Sequence, residues 1–222
     1  MISSLLQLPL SIALTFTAAL LYLISAVIFF VAAGRERNEL TVAFLAFLSS
    51  MAIYLALLGM GQYTRAAILT YLGVFAVFTG SCVMLRLPLA ALPQPLRNLL
   101  FSGSLLVSWS LLAWLMLTPI GRQLLLPVTG LYMVAINGGI TGLYLLGVGL
   151  KSKTPWVKVK ATGGGLGIAS CCVAAHLAGV AGAPLLVSAF FQIFSPIIIL
   201  LAIFSGRRIQ RQSERGSVPT PS

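Results

Sequence analysis

The chain has 222 residues, of which 59% are hydrophobic and only 8% charged, with a mean hydropathy of +1.05. A water-soluble domain carries about a quarter charged residues, so a membrane is the main solvent of this one. The net charge of +11, from 14 basic and 3 acidic residues, is assigned to membrane topology and anionic headgroups, and nucleic acid is excluded as a partner.

Seven long apolar runs follow one another at 10–33, 40–61, 67–87, 99–117, 124–150, 161–181 and 184–205. Each can cross a hydrocarbon core about 30 Å thick at about 1.5 Å per helical residue. No Lys or Arg precedes Arg35, so the first run lacks the basic flank of a secretory signal. It is also too long for one and is taken as a true span. The basic residues fall in alternate gaps. Arg35, Arg37, Arg86, Arg97, Lys151, Lys153, Lys158, Lys160, Arg207, Arg208, Arg211 and Arg215 lie in one set of gaps, and only Arg65 and Arg122 in the other. Retention of positive charge on the cytoplasmic side places the N-terminus outside and the C-terminus inside. The expected fold is all-α: a polytopic membrane protein with seven transmembrane helices over 1–205. A short basic tail containing Ser and Pro, 206–222, is expected to be disordered in the cytoplasm.

The connections are short and leave no room for an inserted soluble domain. Pro88, Pro93 and Pro95 stop the third helix and delay the fourth. Trp156, among the lysines of the fifth gap, suits an anchor at headgroup level. Cys82, Cys171 and Cys172 lie within apolar runs without metal-site spacing, and they are assigned to packing. A three-plus-one-plus-three plan, as in small sugar transporters of the SWEET class, agrees with the topology. Laying Pro9 on Pro127 gives almost no residue matches beyond the Leu-Pro start, and the Pro-Gln motif of that class is missing.

Ionisable groups inside a bilayer are costly and usually functional. The three carboxylates, Glu36, Glu39 and Glu214, all lie at or beyond the cytoplasmic ends of spans, so no acid–base pair or proton relay can be built from them. The seventh run holds no Lys for a retinal Schiff base, and it offers Ser195-Pro196-Ile197-Ile198-Ile199 in place of the Asn-Pro-x-x-Tyr pattern of the large receptor family. Ala175-His176-Leu177-Ala178-Gly179 and Gly138-Gly139-Ile140-Thr141-Gly142 resemble the histidine and serine elements of rhomboid proteases. Thr141 stands where that nucleophile belongs, the two elements lie on consecutive helices, and the amino-terminal Trp-Arg loop is missing. No enzymatic activity, metal or cofactor is expected.

The polar residues left in the spans define the candidate site. Asn137, Thr141 and Tyr144 share a helical face of the fifth run, and Ser188, Gln192 and Ser195 share a stripe of the seventh. His176 lies about 7 Å, and Gln192 about 12 Å, below the outer helix ends at about 1.5 Å per residue. Asn137, Thr141, His176, Ser188 and Gln192 are therefore the candidate ligand-binding residues, in a polar pocket of the outer half. The competing reading makes them interhelical glue, with Asn137 and His176 bonded to each other. Gly138 with Gly142, and Gly163 with Gly167, form GxxxG pairs that let helices approach closely. The run Gly163-Gly164-Gly165 is assigned to relaxing the start of its helix. Pro196 is a candidate hinge or static kink.

Seven spans within about 200 residues, an outside N-terminus, the segment Gly34-Arg35-Glu36-Arg37-Asn38-Glu39-Leu40 after the first helix and a basic segment before the sixth form one layout. Over residues 5–210 it resembles the seven-helix sensor module at the head of bacterial sensor histidine kinases and cyclases. The resemblance implies a membrane sensor or signalling module in the plasma (inner) membrane. Those modules are fused to a cytoplasmic output domain, so signalling here is expected to pass through a partner membrane or cytoplasmic protein. A small transporter or channel subunit, and a structural or accessory subunit of a membrane complex, are the alternatives.

Overall fold

The computed structural model describes residues 10–33, 39–179 and 185–216. All regular structure among them is helical. In chain order the elements are α1 (Leu10–Ala33), α2 (Glu39–Thr64), α3 (Ala67–Met84), the single turn α4 (Arg86–Leu89), α5 (Gln94–Leu117) and α6 (Pro119–Met133). A π-helical segment, Val134–Gly142, joins α6 to α7 (Leu143–Lys151), and α8 (Pro155–Gly179) and α9 (Leu185–Gly216) complete the chain. Among the described residues, six stretches are long and apolar enough to cross a membrane: Leu10–Ala32, Glu39–Thr64, Ala67–Leu89, Gln94–Leu117, Pro119–Lys151 and Val187–Ser213. The chain is therefore a multi-pass, all-helical membrane protein.

Helix boundaries follow the local chemistry. Pro93 and Pro95 do not delay α5 to residue 99 as expected. Pro95 sits in its first turn, where the missing N–H has no helical partner to lose, and the helix begins at Gln94. Pro119 plays the same part in α6, with Thr118 as the cap whose Oγ1 accepts from the Gly121 amide at 2.9 Å. The α2–α3 turn is tight enough to hold Arg65 at φ 58°, in the left-handed region. The apolar side chains are turned both ways. Tyr22, Phe47, Phe78, Met84 and Ile168 are wholly buried, while Leu20, Phe30, Val31, Leu106 and Leu201 are exposed, as a lipid-facing surface requires.

Consecutive helices pack as neighbours, and α9 closes the arrangement by packing on α1 as well as on α8. The predicted sixth run forms α8, 25 residues long and poor in large side chains. Its neighbours are α9, α6, the π segment and α7, so most of its surface meets protein and not lipid. Among its described side chains, Leu166 and Val173, two turns apart, are the exposed large apolar ones. The glycines make this burial possible. A Cβ on Gly138 would meet Cys172 Cβ at 3.1 Å, and one on Gly165 would lie 2.9 Å from the Gly142 carbonyl oxygen. Gly163 faces Ala202 of α9, Gly164 faces Phe44 of α2 and Gly165 faces Gly142 and Leu146. The glycine run expected to relax the start of this helix thus brings three neighbours to van der Waals contact at once.

The connections sort into two poles. At one, Arg97 at the start of α5 pairs with Glu39 at the start of α2, Nη1 to Oε1, at 2.8 Å. Arg207 of α9 donates to the Ala32 carbonyl at the end of α1, and Lys160 of α8 donates to Gln210 of α9 at 3.0 Å. Opposite them, Ser11 of α1, Gln62 of α2, Leu126 of α6, Ala175 of α8 and Ser188 of α9 line one cavity. The gaps rich in Lys and Arg thus share a pole, and α8 runs from that pole to the other. The tail departs from expectation. α9 continues to Gly216, so 206–216 are helical where disorder was predicted, and the bonds of Arg207 and Gln210 dock this extension on α1 and α8. Residues 217–222 lie outside the described set.

Candidate functional site

The cavity at the less charged pole has a volume of about 220 Å³ and lies between α1, α2, α6, α8 and α9. Ser11, Thr15, Tyr54, Gln62, Ser188 and Gln192 supply its polar lining. Two of these hydroxyls are already engaged along the backbone. Thr15 Oγ1 donates to the Ser11 carbonyl at 2.8 Å, and Ser188 Oγ donates to the Ala174 carbonyl at 3.1 Å. Each keeps acceptor capacity toward the cavity. Gln62 and Gln192 make no hydrogen bond among the described residues, and each carries both donors and an acceptor. Below them the wall becomes soft and apolar: Met51, Met133 and Cys171, with Cys171 Sγ 3.9 Å from Met51 Sδ. The arrangement suits a small ligand with hydrogen-bonding groups at one end and an apolar remainder.

The five candidate residues divide. Ser188 and Gln192, one turn apart on α9, both line this cavity. Asn137 and Thr141 do not. Both lie in the π segment, wholly buried, and the Asn137 amide donates to Ser81 Oγ of α3 at 2.9 Å. Ser81 Oγ in turn donates to the Val77 carbonyl at 2.7 Å. The bond between Asn137 and His176 that an interhelical-glue reading anticipates is therefore not made by this amide. His176 is partly buried near the C-terminal end of α8, and its Nδ1 is buried without a partner among the described residues. It is not part of the cavity lining.

Asn137 Oδ1 and Thr141 Oγ1 are likewise buried without hydrogen bonds among the described residues. Their segment has the i→i+5 pattern of a π-helix, a wider turn that concentrates at functional positions. Gly138, Gly139 and Gly142 bring little side-chain bulk to it, so a wider turn can form there while α8 packs closely. Pro196, one turn below Gln192, is buried within α9, which remains helical through it although the Gln192 carbonyl has no proline N–H to accept.

Sequence reasoning missed several contributors. Tyr22, in the middle of α1, is wholly buried and faces Cys171 and Ser195 in the bundle centre. Thr15 and Gln62 lie near helix ends, where polar residues ordinarily meet water, and only the bundle turns them into a shared cavity. Tyr132 stacks on Phe78 with ring centroids 4.1 Å apart. Its hydroxyl is 2.7 Å from Ser108 Oγ and 3.3 Å from Cys82 Sγ. Cys82, assigned to packing alone, thus belongs to a polar tie across α3, α5 and α6. A tyrosine in mid-span was the one signal in the sequence, since a buried hydroxyl needs a partner.

No protein-family model matches the chain, and comparisons with curated proteins and with solved structures find no significant match.

Proposed function

We propose that this chain is a non-enzymatic seven-helix sensor or signalling module of the plasma (inner) membrane. It takes a small ligand from the outer side and acts through a partner protein. The observation carrying this reading is the outer cavity, with the unengaged amides of Gln62 and Gln192 at its wall. In this reading α8 is the sixth of seven crossings, the pole of Glu39, Arg97 and Arg207 faces the cytoplasm and the N-terminus is outside. Ligand bound to Ser188 and Gln192 bears on α9, whose basic end reaches past the membrane to Gly216 and offers a contact for the output partner. Pro196 removes a helical hydrogen bond between the two ends, which lowers the cost of bending there.

A second reading, a small transporter or channel subunit, draws on the buried hydroxyls of Tyr22 and Ser195 near the bundle centre. A transporter exposes its site alternately to both sides, whereas a sensor need hold it open only to one. A cysteine at Gln192 is expected to react with a charged thiol reagent from outside intact cells and not from inside-out vesicles. Reactivity from the cytoplasmic side would sink the sensor reading and promote the transporter. Protection from both sides would make the chain an accessory subunit with a closed interior.

A further inference from the structure

The basic pole holds a second cavity, of a different character. Between the end of α1 and the last turns of α9 lies a groove of about 670 Å³. One wall is apolar, formed by Val31, Ala32 and Phe204, and the other carries Arg207, Arg208 and Arg211. Val31 is 72% and Phe204 44% exposed, so the apolar wall opens to the hydrocarbon. Arg207 is anchored, since one of its N–H groups is spent on the Ala32 carbonyl, which lies in the last turn of α1 and has no helical partner. Arg208 and Arg211 are three residues apart and so share a face of α9, and both are exposed.

No carboxylate lines this groove among the described residues; the side chain of Glu214, three residues beyond Arg211, lies outside them, and the nearby Glu39 is engaged by Arg97 at 2.8 Å. The segment 34–38 lies outside the described residues, and by sequence it adds two arginines against one glutamate. Topology alone requires basic residues at this pole, but it does not require three guanidinium groups to converge on one groove. Guanidinium pairs bind phosphate oxygens in a bidentate manner, and like charges held this close favour an anion between them. Phe204 is four residues from Arg208, about 6 Å along the axis at about 1.5 Å per residue, so an apolar and a phosphate-binding surface sit at the spacing of an amphiphile.

We propose that this groove is a site for one anionic phospholipid. Arg208 and Arg211 hold its headgroup phosphate beside the anchored Arg207, and its acyl chains lie along Phe204 and Val31. Basic pockets between transmembrane helices on the cytoplasmic side recognise headgroups in this way. The site is independent of whether the outer cavity holds a ligand.

The test is native mass spectrometry of the full chain in mild detergent, incubated with phosphatidylglycerol or with phosphatidylcholine. One phosphatidylglycerol is expected to remain bound, with phosphatidylcholine retained at least fivefold less. R208Q/R211Q keeps the bond from Arg207 to Ala32 and should lower phosphatidylglycerol occupancy at least fivefold. K153Q/K158Q removes the same charge from exposed positions at the same pole and should leave occupancy within twofold. The single R211Q, at an exposed position, should cost at least twofold and keeps the test decisive if the double variant does not fold. Equal losses in the two double variants, no loss in R211Q, equal retention of the two lipids, or full displacement of phosphatidylglycerol by millimolar inorganic phosphate would each overturn the proposal.

Discussion

Asn137, in the middle of a span, gives its amide to Ser81 Oγ on the facing helix α3 at 2.9 Å, with both side chains wholly removed from lipid. The bond ties the π segment to a helix 56 residues away in sequence. It leaves Asn137 Oδ1 without a partner among the described residues, so half of this amide is satisfied. A side-chain bond across helices in a membrane is worth about 0.6 kcal/mol on average and up to about 1.7 kcal/mol.

Asn137→Ala and Ser81→Ala are each expected to lower unfolding stability in detergent by about 1 kcal/mol. The double variant should cost less than the sum, with a coupling energy of about 0.6–1.7 kcal/mol in a double-mutant cycle. Strict additivity would mean that the bond contributes nothing and that Asn137 is held by shape alone.

Gly142 and Gly147 lie within one run of helix and differ in what surrounds them. A Cβ on Gly142 would lie 3.1 Å from the Asn137 carbonyl oxygen and 3.6 Å from the Gly165 carbonyl oxygen of α8, whereas one on Gly147 would meet nothing within 4 Å. Gly142→Leu should therefore force α8 away and cost about 1–3 kcal/mol, read as a lower thermal midpoint. Gly147→Leu should change it little. Equal effects would show that the loss comes from the backbone and not from the interhelical contact.

The two poles give a topological prediction. Thr64 lies at the end of α2 away from the Glu39–Arg97 pair, and Ser152 and Ser213 lie at the end with the lysines and arginines. A membrane-impermeant thiol reagent applied to intact cells should label a cysteine at Thr64 and spare cysteines at Ser152 and Ser213. Labelling at Ser152 together with protection at Thr64 would invert the orientation.

Much of the fold was legible before any coordinates, because a membrane leaves a chain few options. Backbone groups must be satisfied within each helix, so apolar run length maps onto spans, and six of the seven predicted runs satisfy the length and apolarity of a crossing. Two of the basic residues in the alternating gaps join helix ends, Arg97 to Glu39 and Arg207 to the Ala32 carbonyl. GxxxG spacing likewise indicated that Gly138 and Gly142 meet another helix. Run 161–181, read as a span like the others, is not among the six, and α8 is shielded by its neighbours, where a helix needs little apolarity of its own.

Of the five candidate residues, only Ser188 and Gln192 of α9, one turn apart and on a shared face, line the cavity. Whether Asn137 joins them depends on the rotation of its helix, and the wider π turn directs that amide to Ser81 instead. Local periodicity carries no information about which neighbour a face meets. Ser11, Thr15 and Gln62 entered the cavity by the same logic, from helix ends that only closure of α9 on α1 brings together. Composition and spacing thus indicated the solvent and most of the spans, because those follow from transfer of each segment into lipid. Helix rotation, the π turn and the docking of the basic extension on α1 were decided by packing among all the helices, where close approach at glycine and the pairing of buried polar groups outweigh local preference.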